Sequence, residues 1–207
     1  GTSEEQELNR VARDLRRRHW LLQKEAGLDF IPSNDFSLYD HVLDMTAVAG
    51  AVPKRYGSGE VTRETYFAMA RGGDGDDGVP AMEMTKWFNT NYHYIVPELT
   101  EETSFRLTWR KPVDEFLEAR ELGVHTRPVL IGPVSYLLLA KGEGMKPISL
   151  LPRLLPVYEE LLGELSRAGA DWIQLDEPCL TMNLEDETVA AYHEAYEALG
   201  GVAKAAG

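Results

Sequence analysis

The chain is short of thiols, of basic side chains and of long apolar runs, and each shortage removes a class of explanation. Cys179 is its one cysteine, so no internal disulfide is available and a reducing compartment suits it. Lysine and arginine number 21 against 34 aspartates and glutamates, a net charge of −13. Such a surface repels phosphate backbones and anionic lipid, which argues against nucleic acid and membrane as partners. No stretch approaches the roughly 20 apolar residues of a membrane span, and the polar, acidic start (Thr2, Ser3, Glu4, Glu5) is not a signal peptide. The chain opens on Gly1 rather than methionine, as expected of a trimmed N-terminus. Zinc centres need three or four thiolate, imidazole or carboxylate ligands. The single cysteine and the scattered His19, His41, His93, His125 and His193 offer no such spacing, so no metal site is expected.

What is present is the composition of a packed protein: 43% hydrophobic and 9% aromatic over 207 residues. A cytoplasmic protein, or a piece of one, is expected. The first helix carries Leu8, Val11, Ala12, Leu15, His19 and Leu22 at spacings of three and four and stops at Gly27. Leu28 to Ile31 reads as a short buried strand ended by Pro32. A helix from about Phe36 to Ala49, capped by Asp35, should follow, and another from Thr62 to Ala70. Gly72 to Gly78 is a glycine-aspartate loop expected to be exposed. Phe105, Leu107 and Trp109 alternate with polar residues as in a half-buried strand.

Pro112 to Leu122 is helical, Arg127 to Ile131 is a buried strand, and a short apolar helix runs through Leu139. The strongest amphipathic pattern spans Leu151 to Ala168. Trp172 to Pro178 is the last strand. A final helix, about Glu185 to Leu199, should end at Gly200 and Gly201. About four strands alternating with helices imply an α/β fold with a parallel sheet. Periodicity alone leaves a partial barrel and an open doubly wound sheet undecided.

Chemistry concentrates in Glu83-Met84-Thr85-Lys86-Trp87-Phe88-Asn89-Thr90-Asn91-Tyr92-His93-Tyr94. This run has no clean apolar period. It supplies flat rings for stacking and polar groups for orienting a ligand. Lys86 is placed to pair with a ligand carboxylate or phosphate, or else to lay its stem over Trp87; Asn89, Asn91 and His93 are weaker candidates. Asp176 and Glu177 end a strand just before Pro178, where parallel sheets carry their ligand clefts. They can bind a cation, orient an amine or move a proton, or simply cap a turn and face solvent. Asp35 is explained as a helix cap. Cys179 has no histidine beside it to make it a nucleophile. Gly57-Ser58-Gly59 lacks the context of a phosphate cradle.

The aromatic run resembles the signature of the cobalamin-independent methionine synthase family, in its N-terminal domain. So do Tyr39-Asp40-His41-Val42-Leu43, Leu130-Ile131-Gly132-Pro133-Val134-Ser135-Tyr136-Leu137 and Ile173-Gln174-Leu175-Asp176-Glu177-Pro178. Gly-Pro-Val and Asp-Glu-Pro recur in related barrels; the aromatic run is the specific part. The resemblance covers nearly the whole chain and implies two face-to-face (β/α)₈ barrels in the parent. It also implies transfer of a methyl group from 5-methyltetrahydropteroyltriglutamate to homocysteine, and a zinc ion in a C-terminal barrel.

On that basis residues 1–207 are expected to form part of the N-terminal barrel, roughly strands two to five. Lys86 would bind folate, with Trp87, Asn91, Asp176 and Glu177 in its cleft. No catalytic residue and no zinc ligand would lie in this chain. The isolated piece would then be inactive and prone to self-association, its partners being folate, homocysteine and a missing C-terminal barrel. The alternatives from the residues themselves are a non-catalytic small-molecule-binding or docking module, and a uroporphyrinogen decarboxylase-like barrel. The arginine-rich cleft of the latter is not evident.

Overall fold

The computed structural model describes residues 3–57, 61–73 and 78–205. In chain order its helices are α1 (Ser3–Glu25), α2 (His41–Val48), α3 (Arg63–Arg71), α4 (Lys111–Glu121), α5 (Pro133–Leu138), α6 (Leu151–Arg167) and α7 (Asp186–Ala205). Its strands are β1 (Ile31–Ser33), β2 (Met84–Lys86), β3 (His93–Ile95), β4 (Glu98–Thr100), β5 (Thr126–Ile131), β6 (Lys141–Glu143) and β7 (Gln174–Asp176). The central sheet is three parallel strands in the order β1-β5-β7. β2 and β3 form an antiparallel hairpin, and β4 pairs with β6 in parallel. The architecture is mixed α/β. No described helix is long and apolar enough to cross a membrane.

Strand alternation divides the central sheet into two unlike faces. Ile31, Ser33, Thr126, Pro128 and Leu130 point one way and are buried. Ile31 packs with Trp20 of α1 and with Ala119 and Val124, at and beyond the end of α4. Leu130 joins the main core with α6. The other face carries Pro32, Arg127, Val129, Gln174 and Asp176, all partly or fully exposed, with Ile131 alone buried. Just before the strands on that side, Phe30 and Trp172 meet edge to face at 6.1 Å and remain 52% and 65% exposed. Arg127 lies over Phe30 at 5.3 Å. Parallel sheets are ordinarily covered on both faces, so this one is half dressed.

α6 anchors the covered side. Leu154, Leu155, Leu161, Leu162 and Leu165 are all buried on it, at about 1.5–3 kcal/mol of burial each. Tyr158 donates its hydroxyl to the Ile131 carbonyl at 2.7 Å, tying the helix to the end of β5.

Five expectations change. β1 lies at Ile31–Ser33 and contains Pro32 rather than stopping before it. As an edge strand it has only one neighbour, so the missing N–H costs little, and the Pro32 carbonyl accepts from Trp20 Nε1 at 3.0 Å. α2 begins at His41 with Asp40, not Asp35, as its cap. Phe105 to Trp109 is extended and half-buried but joins no strand. The amides of Arg106 and Thr108 instead donate to the Ala49 and Val48 carbonyls at the end of α2, which leaves three central strands rather than four.

α1 packs through Ala12, Arg16 and Trp20, while Val11, Leu15, His19 and Leu22 face solvent. Arg16 reaches Glu118 of α4 at 2.6 Å from that same inward stripe. α7 continues through Gly200 and Gly201. Residues 58–60 and 74–77, where the Gly57-Ser58-Gly59 reading and the middle of the glycine-aspartate loop fall, lie outside the described residues.

Candidate functional site

Asp40 builds the centre of the site. Its Oδ1 accepts from the Val42 and Leu43 amides at 2.8 and 2.9 Å, starting α2, and its Oδ2 accepts from Ile95 N at 2.9 Å, fixing β3 to that helix. One carboxylate thus sets the hairpin against the helix. Burial pushes its pKa up to about 6 despite those three donors.

From Val42 to Val48 every α2 residue is buried; His41 is the exception and faces the hairpin. Its ring lies 4.7 Å from Trp87, edge to face, and 6.2 Å from Tyr92, nearly parallel. Trp87 also meets Phe88, Tyr92 and Tyr94 at 5.1, 6.4 and 5.7 Å. The turn between β2 and β3 closes through Trp87 N to the Tyr92 carbonyl at 2.7 Å, and Thr90 donates through its hydroxyl to the Trp87 carbonyl at 2.7 Å. Phe88 sits there with φ 51°, a region that bulky side chains rarely occupy. Desolvation lowers the pKa of His41, opposed by Asp44 of its own helix and Asp176 of β7 and reinforced by Lys111 of α4. The aromatic hairpin and the carboxyl end of the sheet therefore converge on His41.

The residues singled out from sequence divide. Trp87 is the hub of the ring cluster and half-buried. Asp176 is exposed at the end of β7, with its Oδ1 accepting from Gln174 Nε2 at 2.6 Å. Glu177 turns inward instead. It accepts from the Ser135 and Val134 amides at 2.7 and 3.3 Å and from the Tyr196 hydroxyl at 3.0 Å, closing the N-terminus of α5. Asn91 is exposed, and its carbonyl accepts from His93 Nδ1 at 2.9 Å.

Lys86 is exposed on β2, opposite His93. Among the described residues it has no hydrogen-bond or ion-pair partner. Lys24, Lys54, Lys111, Lys141 and Lys146 all have one. No hydrogen bond or ion pair among the described residues links Lys86 or Asn91 to the Asp176–Glu177 pair.

Sequence reasoning passed over two features. His41 was indistinguishable from any helical histidine, because its place directly after the cap of α2 and before seven buried residues shows only in the fold. The second is a buried polar knot in which Lys111 Nζ meets Asn34 Oδ1 at 2.7 Å, Asp44 Oδ2 at 3.2 Å and Glu115 Oε1 at 3.3 Å. Tyr66 donates to Asp44 at 2.6 Å. The knot joins the end of β1 to α2, α3 and α4 and holds the helix that carries His41. Cys179 is buried and its thiol is pushed up by desolvation, the opposite of an activated nucleophile. No three of the described His, Cys, Asp and Glu side chains gather so as to hold a metal.

A groove of 1510 Å³ opens elsewhere, between the loop after α2, β4 and β6. None of the five nominated residues lines it. Its Lys54 and Arg55 are already paired with Glu102 and Glu98 at 2.7 and 2.5 Å. Arg106 on the same wall has no ion-pair partner among the described residues, whereas the ring cluster and Lys86 lie together at the hairpin.

The family model described as "Cobalamin-independent synthase, N-terminal domain" matches residues 1–206. A 5-methyltetrahydropteroyltriglutamate–homocysteine methyltransferase from Parvibaculum lavamentivorans is 57% identical over 204 residues, covering 97% of this chain and 27% of the relative. A probable enzyme of the same name from Schizosaccharomyces pombe is 52% identical over 215 residues, covering 99% and 28%. One from Arabidopsis thaliana is 53% identical over 206 residues, covering 96% and 26%. The chain thus spans little more than a quarter of the length of these relatives.

Proposed function

Because the chain belongs to the cobalamin-independent synthase family, through its N-terminal domain, we propose that it is the folate-holding part of a methyltransferase that makes methionine. The relatives' name describes movement of a methyl group from 5-methyltetrahydropteroyltriglutamate to homocysteine. In that reaction the N5–methyl bond of the folate breaks as the sulfur–methyl bond forms. This stretch binds and orients the folate, and the bond-making groups belong to the rest of the relatives' length.

The observation that carries the reading is Lys86, uncompensated on a chain of charge −13 and next to the Trp87 ring cluster. A cation so placed meets the carboxylates of a glutamyl tail, while Trp87, Asn91 and the exposed Asp176 line the approach. Glu177 acts by shaping the cleft rather than by touching ligand. No cluster among the described residues fits a zinc ion, so its ligands are assigned to the rest of the relatives' length.

The three sequential parallel strands, with no reversal of order and one undressed face, suit an arc of a (β/α)₈ barrel whose interior is incomplete. Residues 1–207 are accordingly read as part of an N-terminal barrel domain in a cytoplasmic enzyme. The uncovered face and free strand edges favour self-association of the isolated chain; a monomer by light scattering at high concentration would count against this.

The functional test is equilibrium binding of 5-methyltetrahydropteroyltriglutamate to the purified chain, read by tryptophan fluorescence. Binding without methyl transfer to homocysteine, weakened by Lys86→Ala, is expected. Turnover by these 207 residues alone would refute the assignment.

A further inference from the structure

The register of the hairpin sets Lys86 directly across from His93. Side chains at such cross-strand positions share one face, with Cβ atoms about 4.5–5.5 Å apart. Both are exposed. His93 Nδ1 lies 2.9 Å from the Asn91 carbonyl, and a carbonyl only accepts, so Nδ1 carries the hydrogen. The second nitrogen, Nε2, is therefore the one left for a ligand. The surroundings add no competing charge: Glu83, just before β2, is taken by Lys141 at 2.8 Å. Among the described residues no carboxylate lies within ion-pair distance of His93 or Lys86. The charged group set against His93 is Lys86 of β2, and no ring or ion pair reaches it from α2 or the central sheet.

We propose that Lys86 and His93 form a two-point seat for a carboxylate, and that His93 takes up one proton from solvent as the carboxylate binds. The Lys86 ammonium then donates to one oxygen and His93 Nε2–H to the other. A histidine suits the second position because protonation turns Nε2 from an acceptor into a cationic donor. Two donors in fixed register also select a carboxylate by geometry as well as by charge. This inference rests on the tail-binding reading above and deepens it by adding His93 and a proton linkage.

The test titrates the full chain with γ-linked triglutamate between pH 6 and 8, by calorimetry in two buffers of different ionisation heat. The wild type should take up close to one proton per ligand at the alkaline end, and binding should weaken up to ~tenfold per pH unit there. His93→Gln should remove both the proton uptake and the pH dependence, and Lys86→Ala should weaken binding at every pH. Both residues are exposed, so an unchanged urea midpoint establishes that each variant folds.

If Lys86→Ala weakens binding while His93→Gln behaves as wild type, the His93 seat is overturned and the Lys86 reading survives. If neither matters, or the wild type fails to bind at millimolar ligand, both fall. Inorganic phosphate binding as tightly, with the same pH dependence, would overturn the carboxylate assignment in favour of a general anion spot.

Discussion

Replacing Gly132 by alanine puts a methyl group into the space that the Glu177 carboxylate occupies. A Cβ there would fall inside contact distance of Oε1 and Cδ of Glu177 and 2.6 Å from its Cγ. The backbone is not the reason for glycine, because its φ of −72° and ψ of 154° suit any residue. Glu177 would have to swing away and release the Ser135 and Val134 amides and the Tyr196 hydroxyl. Hydrogen bonds to a charged group contribute ~1.5–3 kcal/mol each in mutational series. The freed groups regain some water because Glu177 is only partly buried, so a net loss of roughly 2–4 kcal/mol is expected.

For a chain of this size that loss lowers Tm by roughly 5–15 °C. The decisive assay is a double-mutant cycle by urea denaturation. In a Glu177→Ala background the collision is absent, and Gly132→Ala should be neutral or stabilising by up to ~1 kcal/mol. Equal costs in both backgrounds, or a cost below ~0.5 kcal/mol in the wild type, would refute the assignment of Glu177 as the closure of α5.

Two further predictions concern the frame. Asp40 is held by burial at a pKa of about 6, above the ~3.9 of an unfolded aspartate, so between pH 4 and 6 the native state binds more protons than the unfolded one. Its contribution is then most favourable below pH 4 and declines as pH rises to 6, by on the order of 2–3 kcal/mol. Unfolding free energies of wild type minus Asp40→Asn should fall across that window, and a flat difference would contradict this. Cys179, buried with its thiol pushed up, should react with an aromatic disulfide reagent only at the rate of opening; prompt labelling of the native chain would contradict the packing.

Much of the frame was legible in the sequence because local pattern and tertiary need agree there. α3, α4, α6 and β5 fall within a residue or two of the positions their periodicity and stop signals mark. The start of α2 was not legible. Asp35 and Asp40 are equally good caps by type, and what selects Asp40 is the Ile95 amide, delivered by a strand 55 residues away. Phe105 to Trp109 alternates as a strand should, yet a ladder needs a neighbour, and the segment finds the end of α2 instead.

The candidate site shows the same division. Lys86 and Trp87 stand out by residue type in an aromatic run. The value of Lys86, however, depends on Lys24, Lys54, Lys111, Lys141 and Lys146 having partners where it has none, which only the fold reveals. Asp176 and Glu177 look alike in sequence; one faces solvent beside His41, while the other is consumed by α5.

The central claim, that this chain holds the glutamyl tail of a folate through Lys86, is tested most directly by a difference of differences. Affinity is measured for the triglutamate and monoglutamate forms of 5-methyltetrahydrofolate, with wild type and with Lys86→Ala. The account predicts that wild type favours the triglutamate and that the substitution collapses this preference while leaving monoglutamate affinity little changed. An equal preference in both proteins, or a loss shared equally by the two ligands, would contradict it.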